Sequence, residues 1–184
     1  MNTEVISSRY AKALLSYVME RGVEEKVCSQ VETILQNMQD VPQFREYILM
    51  HDDISFSKKC SLLTTAVGKP LADELLNFIK LVSGHRRMEL LQVMFWAFIS
   101  RYRETKGIKV GALATAFPAD GLRERMETLL ESRISSTVHL SEEVDPELIG
   151  GFVFEIDGYR LDASVRTKLK KISEELIDKG SRIV

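Results

Sequence analysis

The residues equipped for acid–base, nucleophilic or metal chemistry are few, and their spacing argues against all three. His51, His85 and His139 lie far apart, and none has a second histidine at metal-ligand spacing. His51-Asp52-Asp53 has donors for a divalent cation, but the favoured reading is a polar loop with a helix-capping aspartate. His85-Arg86-Arg87 is the compact basic cluster of the chain. Without aromatic or Gly-rich neighbours to cradle a phosphate it reads as a solvated turn between helices, with an anion site as the alternative. Cys28 and Cys60 sit outside any CxxC spacing and on apolar helical stripes, which predicts buried free thiols. GxSxG, P-loop, GxGxxG, HExxH and EF-hand patterns are all missing, so no catalytic residue, cofactor or metal is expected.

Composition leaves room for a binding protein. Of 184 residues 45% are apolar and 28% charged, enough to bury a core. The 25 basic and 27 acidic residues leave a net charge of -2, which supplies no overall attraction to nucleic acid or anionic lipid. The N-terminus carries Glu4 and lacks the basic start and apolar run of a signal peptide. The longest apolar stretch, around Leu90 to Ile99, is too short for a membrane span of ~20 residues. A soluble, cytoplasmic chain is the expectation.

The hydrophobic period then divides the chain. Up to about residue 105, three-four spacing marks six helices. Ile6, Tyr10, Ala13, Leu14, Tyr17 and Val18 form the first stripe, ended by Gly22, and Val23 to Met38 the second. Pro42 opens a short third helix, and Phe56, Cys60, Leu63 and Val67 mark a fourth that ends at Gly68. Pro70 is read as opening the fifth, and Met88 to Arg103 make the sixth. After Gly107 the period becomes two. Ile108, Val110, Ala112, Ala114 and Ala116 predict a strand with that face buried. A helix with Leu122, Met126, Leu129 and Leu130 follows, then a strand at Val138 and Leu140 and one helical turn at Asp145-Pro146-Glu147-Leu148. Asp157-Gly158 predicts a hairpin, and Ser164 caps a last helix carrying Val165, Leu169, Ile172 and Leu176. The fold class is mainly α: a six-helix bundle over 1–105, then a smaller α+β domain over 106–184.

The anomaly lies in the bundle. In the fifth helix Leu71, Leu75, Leu76, Phe78, Ile79, Leu81 and Val82 cover far more than the ~100° stripe a bundle helix needs. The sixth is also broad, and a bundle this small cannot bury both completely. A leftover apolar groove is therefore expected, walled by Tyr10, Ala11, Ala13, Leu14 and Tyr17 on one side and by Leu75, Phe78, Leu81 and Val82 on the other. Its occupant would be an amphipathic helix.

Two stretches carry a resemblance. Arg9-Tyr10-Ala11-Lys12-Ala13-Leu14 resembles the start of the delta subunit of F-type ATP synthase, whose mitochondrial counterpart is the oligomycin-sensitivity-conferring protein. The specific match is Ile149-Gly150-Gly151-Phe152-Val153-Phe154-Glu155-Ile156-Asp157-Gly158 followed by Leu161-Asp162-Ala163-Ser164-Val165-Arg166 and Leu169. It is similar to that family's paired glycines, strand, hairpin and D-x-S-x-R helix start. Ala163 departs from it, since relatives commonly have Gly there.

The resemblance implies a non-catalytic stator connector that resists rotor torque during proton-driven ATP synthesis. Its N-terminal domain would hold the N-terminal helices of alpha subunits, and its C-terminal domain the b-type peripheral stalk. It implies no nucleic acid, and membrane association only through the complex, at the cytoplasmic face of a bacterial plasma membrane. On this reading Gly150 and Gly151 allow a special backbone angle or a close approach. Asp162 and Ser164 satisfy free amides at the start of the last helix, and Arg166 pairs with a carboxylate. Together with Val165 and Leu169 these residues mainly build the fold, leaving stalk contact to their neighbours. The competing readings are a helical nucleic-acid-binding regulator acting through His85-Arg86-Arg87, and a small enzyme using Asp52 or Asp162 as a base.

Overall fold

The computed structural model describes residues 3–50, 54–134 and 136–180, so His51-Asp52-Asp53 lies outside the described residues. The chain divides into two compact units, Met1–Thr105 and Lys106–Val184.

The first unit is helical. It comprises α1 (Thr3–Arg21), α2 (Glu24–Asp40), α3 (Pro42–Leu49), α4 (Phe56–Val67), α5 (Asp73–Gly84), a 3₁₀ turn (Met88–Leu90) and α6 (Leu91–Lys106). Gly22 and Gly68 follow α1 and α4 at φ of 67° and 70°, where an L side chain is costly, and Pro42 supplies the first turn of α3. α5 begins at Asp73 and not at Pro70. The buried Gln30 of α2 donates from Nε2 to the Pro70 carbonyl and accepts from the Ala72 amide through Oε1, both at 2.9 Å. That clamp holds the residues before Asp73 out of the helix.

The core closes around α6. Leu91, Met94, Phe95, Phe98, Ile99 and Tyr102 are buried, while Val93 and Trp96 remain 44% exposed. Facing helices add Val18, Val31, Ile34, Ile48, Leu63, Leu75 and Ile79. Lys59 is also buried on the inner side of α4, where its Nζ donates to the Ile48 carbonyl at 2.9 Å. A polar group is tolerated inside when hydrogen-bonded.

The second unit is α+β: β1 (Ile108–Thr115), α7 (Leu122–Ile134), β2 (Thr137–Val144), a 3₁₀ turn (Pro146–Leu148), β3 (Phe152–Ile156), β4 (Tyr159–Asp162) and α8 (Val165–Gly180). The sheet order is β2-β1-β3-β4. β1 and β2 run parallel with α7 as their crossover, and the other pairs are antiparallel.

The buried face of β1 is the opposite of the one predicted. Leu113 is fully buried and packs with Val138, Leu140 and Phe154 beneath Leu122, Met126 and Leu130 of α7. Val110 and Ala112 are exposed, and only Ala114 and Ala116 join a smaller cluster with Leu148 and Val153. The inward face runs Lys109, Gly111, Leu113, Thr115, too polar for the alternation to reveal it. Gly111 is required there, because a Cβ would lie 2.5 Å from the Glu155 carbonyl oxygen and 2.9 Å from Leu140 Cδ2. Leu129, predicted on the inner face of α7, is exposed.

Candidate partner-binding surfaces

In the first unit the predicted groove separates into core and surface. Ala11, Leu14, Leu75, Phe78 and Val82 are buried, which corrects their assignment as open lining: they fill the α1–α5 contact from within. Their burial follows from the three-four spacing that sequence used to place them, since the same stripe that marks a wall also marks the core. Tyr10 and Tyr17 are half-buried, and Ala13 and Leu81 are exposed, Leu81 at 50%. Tyr10 marks the seam. Its ring meets Phe78 edge-on at 6.3 Å and His85 at 6.4 Å, and its hydroxyl accepts from Arg87 Nη1 at 2.9 Å. The Arg87 guanidinium also lies over that ring, 5.6 Å from its centroid. Arg21 sits over Tyr17 in the same way, at 5.7 Å. Tyr10, Ala13, Tyr17 and Leu81 thus offer apolar surface whose aromatic members are held in place by cations.

That geometry also accounts for His85-Arg86-Arg87. It is the turn after α5, with Arg86 at φ 54° and the amides of residues 85, 86 and 87 donating to carbonyls of the α5 C-terminus. Arg87 is committed to Tyr10, so the nucleic-acid reading loses one of its three basic groups.

In the second unit the signature residues converge where the sheet feeds α8. The Val165 amide donates to the Gly150 carbonyl at 2.9 Å, and a Cβ on Gly150 would lie 2.9 Å from Val165 Cγ2. Gly151 sits at φ 76°, and a Cβ there would run into the Ala163 carbonyl oxygen. Ala163 itself is not at positive φ, so its Cβ is accommodated without strain. Asp162 accepts from the Ser164 amide at 2.9 Å and from the Thr167 hydroxyl at 2.8 Å. The hydrogen bonds from Ser164 and Thr167 hold its carboxyl down at about 2, which suits a permanent anion at a helix start and not a general base. Ser164 is fully buried and its Oγ accepts from the Thr167 amide at 3.2 Å. Arg166 pairs with Glu147 at 3.2 Å.

Beyond that first turn residues 168–174 and Leu176 of α8 are exposed. Leu169, Ile172 and Leu176 are 52%, 54% and 66% exposed, and they share one face by their spacing. Sequence identified this stripe but not its solvent exposure. A helix of a globular unit normally buries such a stripe, and here it is left open to solvent.

Among the described residues no group of three His, Cys, Asp or Glu is placed to hold a metal ion. The 510 Å³ cavity beside α2 is lined by Lys26, Lys69, Ser29, Gln30 and Thr33 among others, and by no carboxylate, histidine or cysteine. Both cysteines are free. Cys28 is buried and its thiol is pushed up to about 12 by desolvation with Glu32 nearby, whereas Cys60 is only half-buried. No helix among the described residues is long and apolar enough to cross a membrane.

Each of the two units carries exposed apolar side chains on a helical surface. A sequence profile described as ATP synthase delta (OSCP) subunit matches residues 6–176. Full-length relatives called ATP synthase subunit delta include one from Bacteroides fragilis, 40% identical with all of both chains covered. Another, from Phocaeicola vulgatus, is 37% identical with 98% of each chain covered. A chain of the Toxoplasma gondii mitochondrial ATP synthase hexamer shares the fold at a TM-score of 0.66 and 22% identity, covering 93% of this chain and 97% of that one. The chain belongs to the ATP synthase delta (OSCP) subunit family, whose members are structural, non-catalytic subunits of ATP synthase.

Proposed function

We propose that the chain is the stator connector of an F-type ATP synthase. Its first unit holds N-terminal helices of alpha subunits at the surface of Tyr10, Ala13, Tyr17 and Leu81. Its second unit holds the b-type stalk on α8. The link resists rotor torque during proton-driven synthesis and sits at the cytoplasmic face of a bacterial plasma membrane, joined to the membrane only through the complex.

The observation that carries this reading is the presence of an uncovered apolar helical face on each unit of a delta-family chain. A connector needs two separate adhesive surfaces and no reactive group. Each large side chain buried against a partner contributes gross ~1.5–3 kcal/mol before the costs of association. The test is a pull-down with the tagged chain from detergent-solubilised membranes. Recovery of alpha and b subunits together supports the connector, and recovery of neither, or of one alone under all conditions, refutes it.

A further inference from the structure

The cavity beside α2 carries chemistry that neither apolar surface uses. One wall is a single face of α2, where Lys26, Ser29, Gln30 and Thr33 recur at helical three-four spacing. The other is the end of α4 and the loop after it, with Val67, Lys69 and Pro70. None of these residues belongs to the surface of Tyr10, Ala13, Tyr17 and Leu81. The two walls are pinned together, because the Gln30 amide bonds both the Pro70 carbonyl and the Ala72 amide. The cavity is therefore in place before a ligand arrives, and its 510 Å³ falls within the range of small-molecule sites, roughly 300–1,000 Å³.

The hydrogen-bonding groups left over give the ligand its sign. Gln30 has spent both ends of its amide on the loop, and the Thr33 hydroxyl donates to the Ser29 carbonyl at 2.9 Å. The Lys26 ammonium, the Lys69 ammonium and the Ser29 hydroxyl have no hydrogen-bond or ion-pair partner among the described residues. A lysine placed like Lys69, just after a helix C-terminus, ordinarily serves the last carbonyls. Those of Thr64 and Thr65 accept instead from the Gly68 amide, and that of Ala66 accepts from Asn37 Nδ2 at 3.3 Å, which leaves Lys69 to the cavity. The chain has 27 acidic residues and none of the described ones lines this space, so two like charges share it without a counter-ion. A phosphomonoester matches that set. It brings nearly two negative charges for the two lysines and three terminal oxygens for the three donor groups, whereas a carboxylate brings one charge and two oxygens. Val67 and Pro70 supply apolar surface for the group the phosphate is attached to.

We infer that this cavity is a binding site for a phosphate-bearing small molecule. Its phosphate oxygens accept from Lys26, Lys69 and Ser29, and its body rests on Val67 and Pro70.

The test is an amide-resolved NMR titration of the full chain with phenyl phosphate, inorganic phosphate and phenylacetate. Lys26→Gln and Lys69→Gln are compared with Lys12→Gln, an exposed lysine on α1 outside the cavity. Both cavity lysines are exposed, so glutamine leaves the fold intact, and the same spectra check this. Phenyl phosphate is expected to saturate shifts at the Ser29, Gln30 and Lys69 amides. Inorganic phosphate should bind about tenfold more weakly for want of the apolar contact, and phenylacetate more weakly than phenyl phosphate for want of charge. Each cavity substitution should weaken phenyl phosphate about tenfold, with Lys12→Gln unchanged. Shifts that never saturate, that spread over lysines throughout the chain, or that survive both cavity substitutions would overturn the site. Co-sedimentation with phosphatidylglycerol vesicles, lost in the same two variants while neither soluble phosphate binds, would overturn the small-molecule ligand in favour of a lipid headgroup.

Discussion

Replacing Leu81 by aspartate separates binding from folding. Leu81 is on α5, 50% exposed, whereas Phe78 and Val82 beside it are buried. Burying a leucine completely is worth ~1.5–3 kcal/mol, so the exposed half has roughly 1 kcal/mol left to give a partner helix. Aspartate forfeits that and must also be desolvated beside an apolar partner. Together these weaken binding by about 2–3 kcal/mol, or roughly 30- to 150-fold. The fold loses far less: a carboxylate in the last turn of α5 opposes the helix dipole by about 0.5 kcal/mol. The assay is a calorimetric titration of wild type and Leu81→Asp with an alpha N-terminal peptide, alongside far-UV circular dichroism. Equal affinities with unchanged helicity would show that the partner does not lie on Leu81. Tyr10→Asp weakens binding as well, but it also strands the Arg87 donor and is the less clean variant.

Other outcomes follow from the second unit. Gly151→Ala drives a Cβ into the Ala163 carbonyl at positive φ and should destabilise that unit by ~1–3 kcal/mol, measured by chemical denaturation. Asp162 titrates lower in the folded chain than its ordinary 3.8, so its support for α8 is present above that pH and is lost as pH falls through about 2. Asp162→Asn should remove this acid-range dependence of exchange at the α8 amides, and an unchanged profile would place the dependence elsewhere. On α7, Glu131 accepts from the Val138 amide at 3.0 Å and Glu127 from the Leu140 amide at 2.8 Å, capping the open edge of β2. Removing both carboxylates with alanine should speed exchange at Val138 and Leu140, while glutamine, which keeps a carbonyl acceptor, should largely restore protection.

Much of this architecture is legible in the residues. Helical stripes, the Gly22 and Gly68 stops, the Asp157-Gly158 turn and the Ser164 cap are local signals, and local geometry obeys them: Asp157 and Gly158 adopt φ of 49° and 77° between β3 and β4. Where tertiary contacts decide, the sequence misleads. The start of α5 depends on Gln30, some forty residues away. The buried face of β1 depends on α7 covering a side that contains a lysine and a glycine. In the groove, spacing identifies the two helices but cannot distinguish the residues that face each other from those that face outward. Leu75 and Leu81 have the same composition signal and opposite burial. The positive φ of Ile149 left no trace in the sequence, because strain is a property of φ and not of residue type.

The most direct measurement is a three-component one: the full chain with both the alpha N-terminal peptide and the C-terminal segment of the b-type subunit, in analytical ultracentrifugation. The connector account predicts a single ternary species, from which Leu81→Asp removes only the alpha peptide and Ile172→Asp only the b segment. Mutually exclusive binding, or one substitution expelling both partners from a folded chain, would contradict it.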